Sequence, residues 1–134
     1  MITQIDHIAI AVNDIQEASK FFTQVLGLEV SPPEDVVEQK TRVAFIEVGE
    51  VRVELVQPMS DDSPVQKFLD KKGQGIHHLA LRTDDVEGDL ESMTDKGVRL
   101  IDKEPKRGAH DSRIAFVHPK SSQGVLLELC QPTH

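Results

Sequence analysis

The sequence predicts an α+β fold built from two tandem copies of one β-α-β-β-β module. Three pairs of similar segments support this prediction. IHHLALRTDD at 76–85 repeats IDHIAIAVND at 5–14, and SRIAF at 112–116 repeats TRVAF at 41–45, each at a distance of 71 residues. LELCQP at 127–132 repeats VELVQP at 53–58 after 74 residues. Such a repeat indicates supersecondary units that bury their apolar faces against one another.

The first module is expected over about residues 3–60 of a single domain that spans the chain. Residues 5–12 alternate between apolar and small side chains, which predicts a strand. Asp14 then begins a helix that ends at Gly27, and an acidic, proline-containing loop occupies 31–40. Two strands, 41–48 and 51–57, are joined by the turn at Gly49-Glu50.

A linker helix over about 63–72 follows, with Ser63 as its cap and Pro64 at its first position. The second module, about residues 74–132, repeats the order. A strand at 76–82 leads to a helix that begins after Asp85 and ends at Gly97. A short strand at 98–101, a polar loop at 102–111 and strands at 112–118 and 125–131 complete the module, whose last hairpin is three residues longer than that of the first.

The composition restricts the classes of partner and compartment. A net charge of −8 argues against nucleic acid, because binding to phosphate backbones needs a basic surface. No window approaches the length and hydrophobicity of a membrane span, and no secretory leader is evident. The single Cys130 cannot form an internal disulfide, which fits a reducing compartment. We therefore expect a cytoplasmic protein that does not bind membranes.

Each module carries one histidine near the start of its first strand and one glutamate in its last strand. Strand alternation directs all four side chains away from the face that packs on the helices, toward a common binding side. Two imidazoles and two carboxylates suit one divalent ion per chain, such as cobalt, manganese, nickel, iron or zinc. The predicted ligands are His7, Glu54, His78 and Glu128.

The same alternation separates the remaining histidines from the predicted ligands. His78 shares its side of the strand with Ala80, whereas His77 lies on the side of Leu79 and Leu81. Alternation therefore favours His78 as the ligand. Three further histidines have no partner in the other module and are interpreted as loop or surface residues: His110, His118 and His134.

This arrangement of modules and ligands resembles the vicinal oxygen chelate superfamily, which includes glyoxalase I, over essentially the whole chain. The resemblance implies a half-barrel cup around one divalent metal that chelates two substrate oxygens. Within the superfamily, the segments that carry the finer resemblance are similar to the methylmalonyl-CoA epimerases: DHIAIAV at 6–12, DSPV at 62–65, GIHHL at 75–79, EPKRGA at 104–109, HPKS at 118–121 and GVL at 124–126.

The resemblance to the epimerases implies a metal-dependent enzyme, and a homodimer, that interconverts R- and S-methylmalonyl-CoA through an enolate. Glu128 matches the metal-bound glutamate that the family uses as a base. Some members carry the second basic glutamate at the position that aligns with Val43, which cannot transfer a proton. Glu47, on the same side of the strand, is an alternative second base, as are metal-bound water and Glu54 released from the metal.

The acyl-CoA substrate implied by the resemblance needs cations for its phosphates. A local basic cluster could supply them: Lys103, Lys106, Arg107, Arg113 and Lys120. Backbone amides near Ser112 and Arg113 could hold the free carboxylate, and with Lys120 they form the predicted substrate site. Two other functions stay open: glyoxalase I, with the same four ligands, and a metal-free small-molecule binding protein of the same fold. Extradiol dioxygenases are normally much longer chains.

Overall fold

The computed structural model describes residues 1–133 and contains eight strands and three α-helices within them. The strands are β1 (Ile2–Ala11), β2 (Glu34–Val36), β3 (Thr41–Val48), β4 (Val51–Pro58), β5 (Gly75–Thr83), β6 (Lys106–Gly108), β7 (Ser112–Val117) and β8 (Leu127–Pro132). The helices are α1 (Ile15–Lys20), α2 (Pro64–Lys72) and α3 (Val86–Asp95). Hydrogen bonds join the strands in the order β2-β3-β4-β1-β5-β8-β7-β6.

The chain divides into two compact units, residues 7–77 and residues 1–6 with 78 onward. In the first unit, β4 pairs antiparallel with β3 and parallel with β1. In the second, β8 pairs antiparallel with β7 and parallel with β5. Each unit therefore has the same topology, and each has its own apolar core beneath its own helix: Val12, Ile15, Ala44, Ile46 and Leu55 in the first, and Val86, Leu90, Ala115 and Leu129 in the second.

The repeated glutamines of the last strands fix the start of the helices. Gln57 Oε1 accepts a hydrogen bond of 2.9 Å from Ile15 N, and Gln131 Oε1 accepts one of 2.9 Å from Val86 N. The first amides of a helix have no partner within the helix, so each glutamine satisfies one of them. Asp14 and Asp85 cap the same helices by accepting from amides of the first turn, as their sequence pattern predicted.

Three predicted boundaries differ from the structure. The predicted loops 31–40 and 102–111 contain the three-residue strands β2 and β6, which pair at the edges of the sheet. The predicted helix from Asp14 to Gly27 is α-helical only to Lys20 and continues as a π-helical turn, Phe21–Val25. The edge strand β2 is held by Arg42, whose Nε donates to Asp35 Oδ1 at 2.7 Å and lowers the pKa of that carboxyl.

The predicted strand 98–101 forms only a single bridge, between Leu100 and Val117. The Phe116 amide does not extend this backbone pairing, because it donates to the Asp102 side chain, at Oδ2, over 2.9 Å. Backbone bonds from Ile101 N to Phe116 O and from His118 N to Arg99 O complete the short contact. Within residues 1–133, none of the helices combines the length and apolar character that a membrane crossing requires.

Gly108 faces Ser112 across the β6–β7 pair at a close contact. A Cβ at this position would lie 2.6 Å from Ile114 Cγ2 and 2.8 Å from Ser112 Oγ. Because Ile114 is a buried β-branched residue, Gly108→Ala is expected to lower the free energy of unfolding by about 1–3 kcal/mol, measured by urea denaturation. The control is Gly75→Ala, where a Cβ meets nothing within 4 Å. Equal stability of the two variants would contradict this account.

Candidate metal centre

The first predicted ligand pair lies in the unit formed by residues 7–77. His7 is on β1 and Glu54 on the neighbouring β4, where Glu54 is in register with Ala9. His7 Nε2 lies 3.3 Å from Glu54 Oε2, and the two side chains are 5% and 7% exposed. The strands therefore bring one imidazole and one carboxylate together in a buried position.

The second pair lies in the other unit and has the same construction. His78 is on β5 and Glu128 on the neighbouring β8, in register with Ala80. His78 Nε2 lies 3.2 Å from Glu128 Oε1, with side-chain exposures of 6% and 5%. The two halves of the chain thus each supply one buried histidine–glutamate pair, as the repeat predicted.

Each glutamate is enclosed by equivalent neighbours. Glu54 lies between Ala9 and Phe45 in the register of the sheet, and Glu128 lies between Ala80 and Phe116. Phe116 also contacts His78 edge to face, with 5.2 Å between ring centroids. Each carboxylate therefore has a small alanine and an aromatic ring as its two cross-strand neighbours.

The donor geometry within each pair fits a bound divalent ion. Two ligand atoms that are each about 2.1 Å from a metal ion, with an angle of 90° between the two metal–ligand bonds, are about 3.0 Å apart. The separations of 3.3 Å and 3.2 Å between Nε2 and carboxylate oxygen are close to this value. They exceed the usual length of about 2.9 Å for an N–H···O hydrogen bond. Two neutral imidazoles and two carboxylates are also the donor types that such an ion prefers.

The other histidines lie elsewhere in the structure. His77 is half-buried and contacts the Phe68 ring of α2 edge to face at 5.1 Å, so alternation separated it correctly from His78. His110 is exposed in the turn before β7, and His118 lies in the loop after β7. His134 lies outside the described residues.

Val43 and Glu47 lie on the same side of β3 as Phe45. Val43 is buried, in register with Val56, and cannot transfer a proton. Glu47 is exposed near the end of the strand, in register with Arg52, whose guanidinium lies over the Phe45 ring at 4.7 Å. Glu47 is thus two residues further along the strand than Phe45, which faces Glu54.

The predicted substrate residues are spread over different faces of the second unit. Ser112 is buried, and its Oγ donates to Ala109 O at 2.7 Å. The Arg113 side chain pairs with Glu87 of α3 at 2.7 Å, on the helix side of the sheet. Lys120 is exposed in the loop that joins β7 to β8. Arg99 lies beside this loop, because its carbonyl accepts a hydrogen bond from the His118 amide. Arg99 was not singled out from the sequence, since nothing in the repeat marks it.

Comparisons with known proteins identify the family to which these features belong. A family model described as the glyoxalase/bleomycin resistance protein/dioxygenase superfamily matches residues 6–116. The chain belongs to this superfamily. The predicted α+β fold of paired modules is thereby confirmed.

Individual relatives match this chain over nearly its full length. An uncharacterized Bacillus subtilis protein, YqjC, is 46% identical over 96% of this chain and 92% of its own. The mitochondrial methylmalonyl-CoA epimerase of Dictyostelium discoideum is 39% identical over 96% of this chain and 78% of its own. A solved variant of Streptomyces coelicolor methylmalonyl-CoA epimerase, in complex with 2-nitronate-propionyl-CoA, is 40% identical, with a TM-score of 0.95 and coverage of 99% and 96%.

Proposed function

We propose that this chain is a methylmalonyl-CoA epimerase that interconverts the R and S forms of its substrate. The observation that carries the proposal is the pair of buried histidine–glutamate couples at equivalent positions of the repeat. Full-length relatives named methylmalonyl-CoA epimerase support it. Lactoylglutathione formation, the reaction of glyoxalase I, is the alternative that the same ligand types would permit.

We propose that His7, Glu54, His78 and Glu128 together hold one divalent ion, with cobalt as the expected metal. Three of them, His7, Glu54 and His78, are buried residues that each offer one ligand atom of the kind such an ion takes. A bound divalent ion supplies Lewis-acid stabilisation for the negative charge that develops on the substrate oxygens during deprotonation. Burial of the carboxylates without a cation would be costly, which also favours this occupancy.

The reaction requires removal of the proton on the carbon between the thioester carbonyl and the carboxylate. Glu128 is the proposed base, because its carboxylate lies on the open, alanine side of β8 and is buried from bulk water. Burial limits side reactions of the enolate with bulk water. The Phe116 ring and the neighbouring His78 hold the carboxylate in one orientation.

Return of the proton to the opposite face of the carbon requires a second group. The acids that β3 and β4 direct to the side of His7 are Glu47 and Glu54. We propose Glu47 as the second base, with Glu54 as the alternative. Glu47 is exposed and in register with Arg52, so it would exchange the proton with the substrate carbon either at hydrogen-bond distance or through one bridging water.

The proposal includes an acyl-CoA ligand, a homodimer and a cytoplasmic location. The ligand is supported by the relative solved with 2-nitronate-propionyl-CoA. The homodimer is the form expected from the epimerase resemblance. The presence of one cysteine, the buried Cys130, fits a reducing compartment.

Exchange of the substrate α-proton with solvent tests the function directly. The purified protein in D₂O is expected to incorporate deuterium at the α-carbon of methylmalonyl-CoA, and prior treatment with a chelator is expected to stop this exchange. Mass spectrometry of the recovered thioester measures it. Exchange that survives complete metal removal would contradict the metal role. Absence of exchange with metal bound, together with formation of lactoylglutathione from the glutathione hemithioacetal, would replace the proposal with glyoxalase I.

A further inference from the structure

The cations of the second unit differ in whether a carboxylate neutralises them. Lys106 Nζ lies 3.2 Å from Asp102 Oδ1, and Arg113 pairs with Glu87 at 2.7 Å. Arg99 and Lys120, in contrast, have no carboxylate within ion-pair distance in the part of the chain that the structure describes. Exposed lysines elsewhere, such as Lys67, also lack a counter-charge among the described residues. What distinguishes Arg99 and Lys120 is that they lie close enough together for both charges to act on His118, so they can act together on an anionic ligand.

Hydrogen bonds bring these cations to one place, together with His118. The His118 amide donates to Arg99 O at 3.0 Å, and the Arg99 amide donates to Ser121 Oγ at 2.8 Å. The Lys120 amide donates to His118 Nδ1 at 3.1 Å. Since Nδ1 is the acceptor, Nε2 is left as the ring position that donates. We call Arg99, His118 and Lys120 the basic corner.

The positive charges of the basic corner already affect the pKa of its histidine, His118. The pKa of His118 is lowered by partial desolvation and then by the charges of Arg99 and Lys120. Neighbouring cations disfavour the imidazolium, so a bound anion would reverse this effect. The histidine is thus a reporter of anion binding at the corner.

The basic corner lies next to the strand pair that carries Glu128. Phe116 of β7 is directly opposite Glu128 of β8, and Val117 is opposite Leu127. His118 follows immediately, two residues beyond Phe116, which is about 7 Å along an extended chain. A ligand whose acyl end reaches Glu128 can therefore also contact this corner with another part of its chain.

We propose that the basic corner binds a phosphate group of the CoA tail of the substrate. The inference rests on the proposed function only in that the ligand is an acyl-CoA. The Arg99 guanidinium and the Lys120 ammonium supply charge-assisted hydrogen bonds to phosphate oxygens, and the His118 ring adds a donor. The long pantetheine arm of CoA separates these phosphates from the reacting carbon, so the corner contributes to binding and not to chemistry.

Calorimetric titration of three ligands tests the proposal. The ligands are CoA, dephospho-CoA, which lacks only the 3′-phosphate, and pantetheine, which lacks all the phosphates. Arg99→Gln with Lys120→Gln is expected to weaken CoA binding about 10- to 100-fold and to leave pantetheine binding unchanged. If the variant loses its discrimination between CoA and dephospho-CoA, the corner holds the 3′-phosphate. If the discrimination remains while both bind more weakly, the corner holds the pyrophosphate.

The matched control is Lys67→Gln, which removes one charge from an exposed lysine of α2 and is expected to leave all three affinities unchanged. CoA binding by the double variant at wild-type affinity would overturn the proposal, and so would an equal loss of pantetheine binding. As a second readout, CoA but not pantetheine is expected to raise the His118 pKa in an NMR titration. Because no readout requires turnover, a protein that binds CoA at the corner and fails to epimerise would refute the proposed function alone.

Discussion

Replacing Glu128 with glutamine is expected to slow epimerisation by about 10²- to 10⁴-fold, the usual contribution of one acid–base group. Glutamine fills nearly the same volume between Ala80 and Phe116, so the strand pair is preserved. What is lost is the group that accepts the proton. Chiral analysis of methylmalonyl-CoA with time measures the rate, and metal analysis of the same sample shows whether the amide still supports binding of the ion. An unchanged rate in protein that retains its metal would exclude Glu128 as a base.

The comparison variant is Glu47→Gln, which changes the proposed second base. With Glu128 intact, one epimer is expected to exchange its α-proton with solvent while its conversion to the other epimer is lost. Glu128→Gln is expected to show the reverse preference between the epimers. If Glu47→Gln epimerises at the wild-type rate, the second proton transfer does not use Glu47, and Glu54 becomes the acid to test.

His78→Ala is expected to lower the affinity for the divalent ion by more than about 100-fold, because loss of a residue that only hydrogen-bonds to a ligand already costs about 10- to 100-fold. The change removes the Nε2 that lies 3.2 Å from Glu128 Oε1 and leaves that carboxylate buried without its neighbour. Metal content after dialysis measures the loss. Thermal unfolding with and without added cobalt gives a second measure, since a ligand that binds only the folded state raises the melting temperature.

The natural control for this variant is the adjacent histidine. His77→Ala removes a ring that contacts Phe68 of α2, and it is expected to retain the metal and the stabilisation by cobalt. If both variants keep their metal, or if His77→Ala loses it and His78→Ala does not, the ligand assignment is wrong. The two changes are equal in size and adjacent in sequence, and the melting temperatures without added metal show how much of any difference is due to destabilisation.

Features that repeat with strand or helix periodicity could be predicted from the sequence. The alternation that placed His78 on the opposite side from His77 depends only on the pleat of β5, and the structure confirms it through burial and the contact with Glu128. The helix starts after Asp14 and Asp85 were predictable because capping is local chemistry.

Features that depend on a partner distant in sequence could not be predicted in this way. The edge strands β2 and β6 contain polar residues without apolar alternation, and they are strands only because β3 and β7 offer free edges. Strand alternation places Arg113 on the helix side of β7, but its pairing with Glu87 on another element has no local signal in the sequence. The same is true of Arg99, which reaches the loop after β7 through backbone hydrogen bonds alone.

The glutamines that hold the helix starts bear on how this protein can evolve. Phe45 and Glu54 are opposite each other across the first hairpin, and Phe116 and Glu128 are opposite each other across the second, although the second loop is three residues longer. Near the C-terminal ends of β4 and β8, Gln57 and Gln131 hydrogen-bond to the first amides of α1 and α3. The glutamate of each strand therefore keeps its place when the loop before it changes length. If the chain has the proposed function, insertions and substitutions in residues 118–126 are expected to alter substrate selectivity while the Glu128 carboxylate stays in position. Selection could then act on recognition in this loop separately from catalysis.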